Sequence, residues 1–432
     1  MSCVHRLSAS LIAVPIAIGL NISAQSPAGG AITVFVGATI FDGTGNQPIR
    51  DAALVVRNQR IVAVGPAKSV AAPSRAQKIN VAGRTIVPGL INTHGHVGST
   101  AGLESGPQVN TPANVTRQLS LYARYGVTTV VSLGDDGPAG FSARAGNSSA
   151  SIRRARLHVA GPVITAKSPE EARKAVDAAA ASLPNWIKIR VDDNLGTTAK
   201  MSSEVYRAVI EQAHKRDLRV AAHMFYLADA KELLRAGVDF LAHSVRDTDV
   251  DREFIDLIKK RNVCLAPTLM REVSTFIYES RPSFFDDPFF RRHADARVVA
   301  ALEDRSRQSD VASSKSAQAY KKALEVARRN VKALKDAGVP IAFGTDTGPP
   351  TRFQGYFEHL ELEELVRSGL TPFEAMLSAT RDAAGCVGVA DRVGTLQPGR
   401  FADFIVLSRS PLDDVRQSKT IESVWVSGNR VQ

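Results

Sequence analysis

The sequence predicts an α/β protein, a distorted TIM (β/α)8 barrel with a small β-sandwich side domain built from both chain ends. Eight short apolar segments alternate with helical patterns between residues 85 and 345, which favours a closed parallel barrel over an open sheet. Short strands with glycine-bearing turns occupy residues 31–86 and return at residues 394–432. The length of 432 residues suits one large domain, 87–393, plus a smaller one made of the two flanking segments.

The predicted barrel strands are short apolar runs bounded by turn residues. They are Thr85–Thr93, Val127–Leu133, Leu157–Val163, Trp186–Val191, Leu218–His223, Phe240–His243, Val263–Pro267 and Ile341–Thr345. Helices are predicted between most of them, for example Ser203–Lys215 and Ala228–Ala236. Between the seventh and eighth strands, Met270–Ser313 is long, charged and aromatic, which predicts an insertion of loops and helices over the barrel mouth.

Residues 1–24 have the pattern of a signal peptide. Met1–Arg6 is a short basic start, Leu7–Leu20 is mostly apolar, and Ala24 offers a small residue for cleavage. The apolar run is short and contains Pro15, so no stable membrane insertion of the mature chain is expected. We therefore expect an exported protein, periplasmic or extracellular, with an uncleaved anchor as the alternative.

Composition and charge exclude several classes of protein. With 44% hydrophobic and 22% charged residues, the chain is globular rather than disordered. The net charge is +11, but the basic residues are scattered at helical spacing, so no nucleic-acid partner is expected. The 3 cysteines exclude a disulfide scaffold, and Cys264 and Cys386 are expected to be buried free thiols. Oligomeric state stays open, a homo-oligomer included.

Histidine and aspartate side chains stand at the ends of four predicted strands. His94 and His96 are two residues apart on a strand and point to the same side, where two imidazoles can bind one metal ion. His223, His243 and Asp346 end or follow three further strands. Because the carboxyl ends of parallel barrel strands meet at one face, we expect these five side chains to form a metal site.

Lys188 is a second chemical signal. The alternation in Trp186–Val191 turns the two isoleucines and Val191 toward the outer helices and Lys188 toward the interior. A buried ammonium is costly unless it is neutralised or paired. A lysine amine with a lowered pKa can react with CO2, and the two oxygens of the resulting carbamate can bridge two metal ions. The alternative is a lysine paired with a nearby acid such as Asp346.

The segments around these residues resemble the amidohydrolase superfamily, in its imidazolonepropionase-like and prolidase-like branch. The resemblance extends over nearly all of the chain after the leader. Its matching segments are Val87–His96 (VPGLINTHGH), Gly126–Gly134 (GVTTVVSLG), Trp186–Asp192 (WIKIRVD), Val220–His223, Ala236–His243 (AGVDFLAH), Ala337–Asp346 (AGVPIAFGTD) and Gly394–Leu407 (GTLQPGRFADFIVL). The last of them resembles the strand with which the family closes its side β domain.

The resemblance implies a binuclear metal site. By this resemblance, His94 and His96 bind the more buried metal, and Lys188 bridges the two metals. His223 and His243 bind the second metal. Asp346 is a metal ligand that also transfers the proton. Two divalent ions are the expected cofactors, and the donor set of imidazole, carboxylate and carbamate favours zinc. The chain departs from the family at Asn92, where an aspartate is usual, a position expected to tune the metal.

Other polar residues are weaker candidates. Four side chains lie at or just after strand ends, where they could meet a substrate carboxylate. They are Arg190, Tyr226, Arg246 and Arg271. Thr345 and Thr347 flank Asp346 and are expected to hold its loop by hydrogen bonds.

The favoured function is metal-dependent hydrolysis of an amide, peptide-like or cyclic amide C–N bond in a small molecule, by a hydroxide that bridges two metals. Asp346 is the catalytic residue that moves the proton. One rival is a mononuclear deaminase or imidazolone-ring hydrolase, whose relatives lack the bridging lysine. A lactonase or phosphotriesterase is another, since a bridging hydroxide also attacks esters. A secreted binding protein without catalysis is the rival from a different class.

Overall fold

The structure, a computed structural model, describes residues 31–431, so the predicted signal peptide lies outside the described residues. The described strands are β1 (Ile32–Ile40), β2 (Ile49–Arg57), β3 (Arg60–Pro66), β4 (Gln77–Asn80), β5 (Thr85–Pro88), β6 (Leu90–Gly95), β7 (Thr100–Ala101), β8 (Glu104–Ser105), β9 (Val127–Ser132), β10 (Arg156–Val159), β11 (Val163–Ile164), β12 (Trp186–Val191), β13 (Arg219–Met224), β14 (Phe240–Leu241), β15 (Cys264–Leu265), β16 (Phe404–Leu407), β17 (Ile421–Val426) and β18 (Asn429–Arg430).

The helices are mostly amphipathic and begin at polar caps. They are α1 (Pro112–Arg124), α2 (Pro138–Ala145), α3 (Pro169–Ala180), α4 (Ser203–Lys215), α5 (Leu227–Ala236), α6 (Arg252–Arg261), α7 (Leu269–Phe276), α8 (Pro288–Arg291), α9 (Ala296–Leu302), α10 (Arg305–Ser313), α11 (Lys315–Asp336), α12 (Tyr356–Arg367), α13 (Pro372–Leu377) and α14 (Ala383–Val387). Ser168 and Ser314 cap α3 and α11 by accepting from the N–H three residues on. The two predicted helices are confirmed as α4 and α5.

The largest sheet contains strands from both ends of the described chain. Its order is β18-β17-β16-β5-β1-β2-β3, and β4 pairs with β1 off this path. Strand β16 runs antiparallel to β5, with Phe404 opposite Pro88, and this pair joins the C-terminal strands to the N-terminal ones. Phe35 packs against Phe404 and Trp425 at centroid distances of 5.0 and 4.9 Å. The sheet therefore has an aromatic core supplied by residues distant in sequence.

Two parallel sheets carry the predicted barrel strands. One has the order β10-β9-β6 and the other β11-β12-β13-β14-β15. The predicted strand Thr85–Thr93 is divided into β5 and β6, because Gly89 donates its N–H to Asp403 rather than to a strand of the parallel sheet. The predicted strand Leu157–Val163 is divided at Pro162, which has no N–H to donate.

The eighth predicted strand, Ile341–Thr345, forms isolated bridges rather than a continuous strand. Ile341 pairs with Leu265 of β15, and Thr347 pairs with Gly95 of β6, both in parallel. The segment 341–347 thus touches both parallel sheets. The described residues form an α/β fold with parallel strands, and no continuous closed barrel of strands is detected in them. Asp346 interrupts regular pairing because its φ is +58°, in the left-handed region.

The alternation predicted for β12 is confirmed. Ile187 and Ile189 belong to the large apolar cluster that also contains Val205 and Val209 of α4. Trp186 lies in a separate cluster, with small side chains of the neighbouring strands. Because Lys188 alternates with the isoleucines, it stands on the same side of the sheet as Trp186.

The predicted insertion after the seventh strand is present as short helices α7 to α10. Its aromatic side chains pack together, with Phe284 and Phe290 at a centroid distance of 5.0 Å and Phe290 and Phe353 at 4.8 Å. Within residues 31–431, no helix is both long enough and apolar enough to cross a membrane.

The expectation of two free thiols is wrong. Cys264 of β15 and Cys386 of α14 form a disulfide, with their Cα atoms 5.8 Å apart. The two cysteines are separated by 122 residues, and that distance along the chain concealed their proximity. Both side chains contact the cluster around Trp186, where α14 packs on the parallel sheet.

Reduction of this disulfide is expected to destabilise the fold. A cross-link across 122 residues restricts the unfolded chain, and the chain-entropy model gives a contribution of about 5 kcal/mol to the free energy of unfolding. Denaturant unfolding with and without reductant measures it. The doubly substituted Cys264→Ala/Cys386→Ala variant is the control, because its unfolding should not respond to reductant. Free thiols at both positions in denatured, unreduced protein would contradict the disulfide.

Candidate active site

A cavity of about 840 Å³ lies at the ends of the parallel strands. Its lining includes all six predicted ligand residues, His94, His96, Lys188, His223, His243 and Asp346. They come from β6, β12, β13, the segments after β14 and the 341–347 segment. The convergence expected from strand ends is therefore present in the structure.

Backbone carbonyls fix His94 of β6 and His96, which directly follows this strand. Nδ1 of His94 donates to the carbonyl of Ala242 at 2.9 Å, and Nδ1 of His96 donates to that of Gly134 at 3.2 Å. The Nε2 atoms lie 3.6 Å and 3.0 Å from Oδ1 of Asp346. Burial, reinforced by Lys188, holds the pKa of His94 well below its ordinary value. Burial also lowers the pKa of His96, but Asp346 outweighs it and the net pKa is raised.

His243 and His223 stand next to one another, with ring centroids 4.2 Å apart. The hydroxyl of Thr268 donates to Pro267 and accepts from Nδ1 of His243 at 2.6 Å, so Nε2 of that ring carries the lone pair. Nε2 of His223 donates to Asp192 at 2.6 Å, which leaves Nδ1 as its lone-pair nitrogen. Burial lowers the pKa of His223 to about 3 and that of His243 well below its ordinary value. Both rings are neutral and able to act as ligands.

Lys188 reaches the same centre. Its Nζ lies 3.3 Å from Nε2 of His94, and the residue is only 4% exposed. Burial lowers the pKa of Lys188 to about 7, although Asp346 opposes the shift. The amine therefore loses its proton several pH units more easily than an exposed lysine.

Asp346 is held by a residue that the sequence did not indicate. Nη1 of Arg352 donates to Oδ2 of Asp346 at 2.6 Å. Burial alone raises the pKa of this carboxyl, but Arg352 and the two histidines of β6 together hold it well below its usual range. Gly348 lets the loop pass close to β6, since a Cβ there would lie 2.2 Å from the carbonyl oxygen of His96.

Glu358 of α12 organises the support of the site and was also missed. Its Oε1 accepts hydrogen bonds from Asn92 at 2.7 Å, Thr345 at 2.8 Å and Thr347 at 2.6 Å. Burial raises the pKa of Glu358 to about 6, so it is ionised at neutral pH. Oδ1 of Asn92 in turn accepts from the N–H of His94 at 3.0 Å. The threonines hold the Asp346 loop by hydrogen bonds, as the sequence predicts.

The donor set fits a divalent transition metal. One ligand atom each of His94, His243 and Asp346 lie within 4.8 Å of one another, and all three residues are buried. Among the described residues, Nε2 of His243 has no hydrogen-bond partner. An unpaired buried acceptor is costly, and a bound metal removes that cost. Imidazole and carboxylate ligands at this spacing suit zinc.

The four predicted substrate contacts divide into two pairs. Arg190 and Arg271 line the cavity. Arg246 does not line it, because the side chain is 1% exposed and pairs with Glu272. Tyr226 does not line it either, and its hydroxyl donates to an aspartate on the loop after β12.

Loss of Glu358 is expected to weaken both stability and metal binding. Glu358→Ala removes the charged acceptor of three buried donors, which keep only neutral partners in one another, and should cost about 3 kcal/mol of the free energy of unfolding. Glu358→Gln keeps an acceptor of the same size, so its loss should be smaller, about 1 kcal/mol. Denaturant unfolding and metal content of both variants measure the effect. Equal stability and metal content of Glu358→Ala and wild type would show that the network does not position the site.

Comparison with known proteins identifies the family. An amidohydrolase family model matches residues 85–431. The ochratoxinase of Aspergillus niger is 26% identical over 458 residues, which span 92% of this chain and 86% of that protein.

Solved structures share the fold. A Xaa-Pro dipeptidase with methionine bound in its active site has a TM-score of 0.74 at 21% identity, covering 93% of this chain and 100% of that one. A molinate hydrolase has a TM-score of 0.72 at 18% identity, covering 93% and 95%. The chain belongs to the amidohydrolase family, with prolidase-like structural neighbours, and is a hydrolase acting on carbon–nitrogen bonds.

Proposed function

We propose that this protein is a metal-dependent amidohydrolase that cleaves an amide, peptide-like or cyclic amide bond of a small molecule. The observation that carries the proposal is the convergence of four histidines, Lys188 and Asp346 on one cavity. The names of two relatives, ochratoxinase and Xaa-Pro dipeptidase, agree with hydrolysis of an amide-type bond. The cavity of about 840 Å³ lies within the volume range of sites that bind small molecules.

Two divalent ions, zinc by the donor set, are proposed as the cofactors. His94 and His96 would hold one ion, His223 and His243 would hold the other, and Lys188 would complete the donor set. When bound, such ions supply a water of lowered pKa and polarise the scissile carbonyl. Asp346 is ionised and lies 3.0 Å from Nε2 of His96. Its Oδ1 accepts the proton of the attacking water and returns it to the leaving nitrogen.

A carbamate on Lys188 is proposed as the bridge. The uncharged amine adds to CO2 and loses one proton, so the side chain changes from a base into an anion with two oxygens. At about 4 Å and an effective dielectric near 20, each pair of like charges costs about 4 kcal/mol, so an ammonium does not belong beside two dications. The lowered pKa of Lys188 and its 3.3 Å distance from His94 support the modification.

We further propose that the parallel strands and the segment 341–347 form a distorted (β/α)8 barrel spanning 87–393. Bridges from this segment to β15 and β6 support closure. Residues 31–86 and 394–432 form the side domain, which the shared sheet of β1–β5 and β16–β18 supports. Export to an oxidising compartment is also proposed, since the Cys264–Cys386 disulfide suits one.

A substrate screen tests the function. Zinc-loaded protein is assayed against dipeptides, N-acyl amino acids, cyclic amides and lactones, with the metal content measured beside it. Turnover of an amide with a metal content near two per chain is expected, and a chelator should abolish it. Turnover of lactones alone would favour a lactonase or esterase. A content of one metal per chain would favour the mononuclear deaminase or imidazolone-ring hydrolase.

Removal of the general base should nearly abolish turnover. Asp346→Asn keeps the size of the side chain, and asparagine tolerates the left-handed backbone at this position. Turnover should fall roughly 10²- to 10⁴-fold, as for a lost general base. Asp336→Asn, at the exposed end of α11, is the matched control. Near-normal turnover of metal-loaded Asp346→Asn would refute the assignment.

Substitution of Lys188 should remove metal, activity or both. Lys188→Ala deletes the bridge, and a short-chain carboxylate should partly rescue it by occupying the space. Lys188→Arg should fail as well, because a guanidinium keeps its charge and forms no carbamate at neutral pH. Metal content and turnover are measured beside wild type, with the exposed Lys174→Ala as control. If Lys188→Ala holds two metals and hydrolyses substrate normally, Lys188 is a structural lysine.

A further inference from the structure

The disulfide joins two elements that both hold the segment 341–347. One of them is β15, which begins at Cys264. The next residue of this strand, Leu265, forms the isolated parallel bridge with Ile341 and accepts from the N–H of the residue that follows Ile341 at 2.9 Å. One end of the cross-link is therefore fixed beside the start of the segment that carries Asp346.

The other element is α14, which carries Cys386. It continues directly from the π-helical turn Ser378–Asp382. The hydroxyl of Ser378 donates to the carbonyl of Ile341 at 2.9 Å, and the carbonyl of Ser378 accepts from the N–H of Phe343 at 3.4 Å. The segment thus contacts both elements within its first three residues, and the disulfide keeps these two elements together.

The two sides of the segment are held unequally. On the side of β6, the backbone N–H groups of Thr93 and His96 donate to the carbonyls of Phe343 and Thr347 at 2.9 and 2.7 Å. On the side of β15, pairing with the segment among residues 31–431 is limited to the isolated bridge at Leu265. A seam with so little backbone pairing opens locally at a low cost in free energy. The disulfide strengthens this weaker side.

Both sides of this seam carry residues of the candidate metal site. Thr268, four residues after Cys264, accepts from Nδ1 of His243 at 2.6 Å, and Asp346 lies on the segment itself. The ligand atoms of His243 and Asp346 lie, together with that of His94, within 4.8 Å of one another. The width of the seam therefore affects the separation of two ligands, and a metal site tolerates errors of only about 0.2 Å in its ligand distances.

The two cysteines do not touch the cavity. Neither of them lines it, and both pack with the apolar cluster around Trp186. An effect of the disulfide on the site must therefore pass through the backbone of β15 and of the segment 341–347.

We propose that the Cys264–Cys386 disulfide positions the metal site, by holding the segment 341–347 against β15 so that Asp346 and His243 stay at the separation that a metal requires. Without the cross-link the seam opens transiently, and the metal affinity falls while the chain stays folded. This inference rests on the proposed metal-dependent function, and it adds two positioning residues that lie outside the cavity.

Zinc affinity separates positioning from a general effect on stability. The Cys264→Ala/Cys386→Ala variant is compared with wild type by competition with a chromogenic chelator, without reductant because free thiolates bind metal themselves. The variant should bind zinc about 10-fold or more weakly, as when other residues that orient metal ligands are lost. Leu54→Ala is the matched control, because it deletes a fully buried side chain of β2 and destabilises the fold away from the seam. Its zinc affinity should remain that of wild type.

Hydrogen exchange of the metal-free protein gives a second readout. In the cysteine variant, the amides of residues 341–347 should exchange about 10-fold faster than in wild type, whereas those of β2 should change little. Leu54→Ala should show the reverse pattern, since Leu54 lies on β2. These exchange rates report on the seam directly and depend neither on metal nor on turnover.

The outcomes distinguish this inference from the proposed function. Wild-type zinc affinity in the cysteine variant would overturn the inference, and so would an equal loss in Leu54→Ala, since general stability would then set the affinity. If wild type itself binds no zinc, the proposed function fails, and the exchange rates still decide whether the disulfide holds the segment. If the alanine pair does not fold, Cys264→Val/Cys386→Ala leaves a smaller cavity and supplies the same comparison.

Discussion

The arrangement of the site depends on one buried carboxylate oxygen, Oε1 of Glu358. It accepts from Asn92 next to the β6 histidines and from the two threonines that flank Asp346. The two chain segments it joins are 253 residues apart at Asn92 and Thr345, and regular strand pairing between them is limited to isolated bridges. Backbone hydrogen bonds such as those from Thr93 to Phe343 and from His96 to Thr347 also join the two segments, and three donors on one charged acceptor add to them. They also hold the loop on which Asp346 adopts a φ of +58°, in the left-handed region that aspartate tolerates.

Burial then sets the protonation state of the side chains that line the cavity. Four imidazoles, an amine and a carboxylate line one cavity, and desolvation lowers the pKa of His94, His223, His243 and Lys188. A metal ion binds a ring nitrogen or an amine only when the lone pair of that nitrogen carries no proton. The same burial destabilises the metal-free site, because each charge and lone pair held there lacks water. A metal ion held by these residues would therefore contribute to the stability of the fold as well as to the chemistry.

The ligand-bearing part of the fold was predictable because it obeys strand periodicity. The inward orientation of Lys188 follows from alternation in β12, and the histidines follow from the meeting of parallel strand ends. Arg352 and Glu358 were not predictable, since they reach the site from a loop and a helix whose local sequence has no periodic or spacing signal. Asp192, which bonds His223, carries a stronger signal in the sequence, because it directly follows the end of β12. The disulfide was missed for a related reason, that pairing across 122 residues depends on how α14 packs on the sheet.

Strands and loops thus contribute different residues to the active site. Three of the six ligand candidates, His94, Lys188 and His223, lie on strands β6, β12 and β13, where backbone pairing fixes the direction of each side chain. Two cationic residues of the cavity lining lie outside these strands: Arg271 is on α7 after β15, and Arg352 is on the loop before α12. Changes in these segments alter charge at the cavity without disturbing the strands that hold the ligands. A shared ligand set with different loops is therefore sufficient to give related chains different substrates.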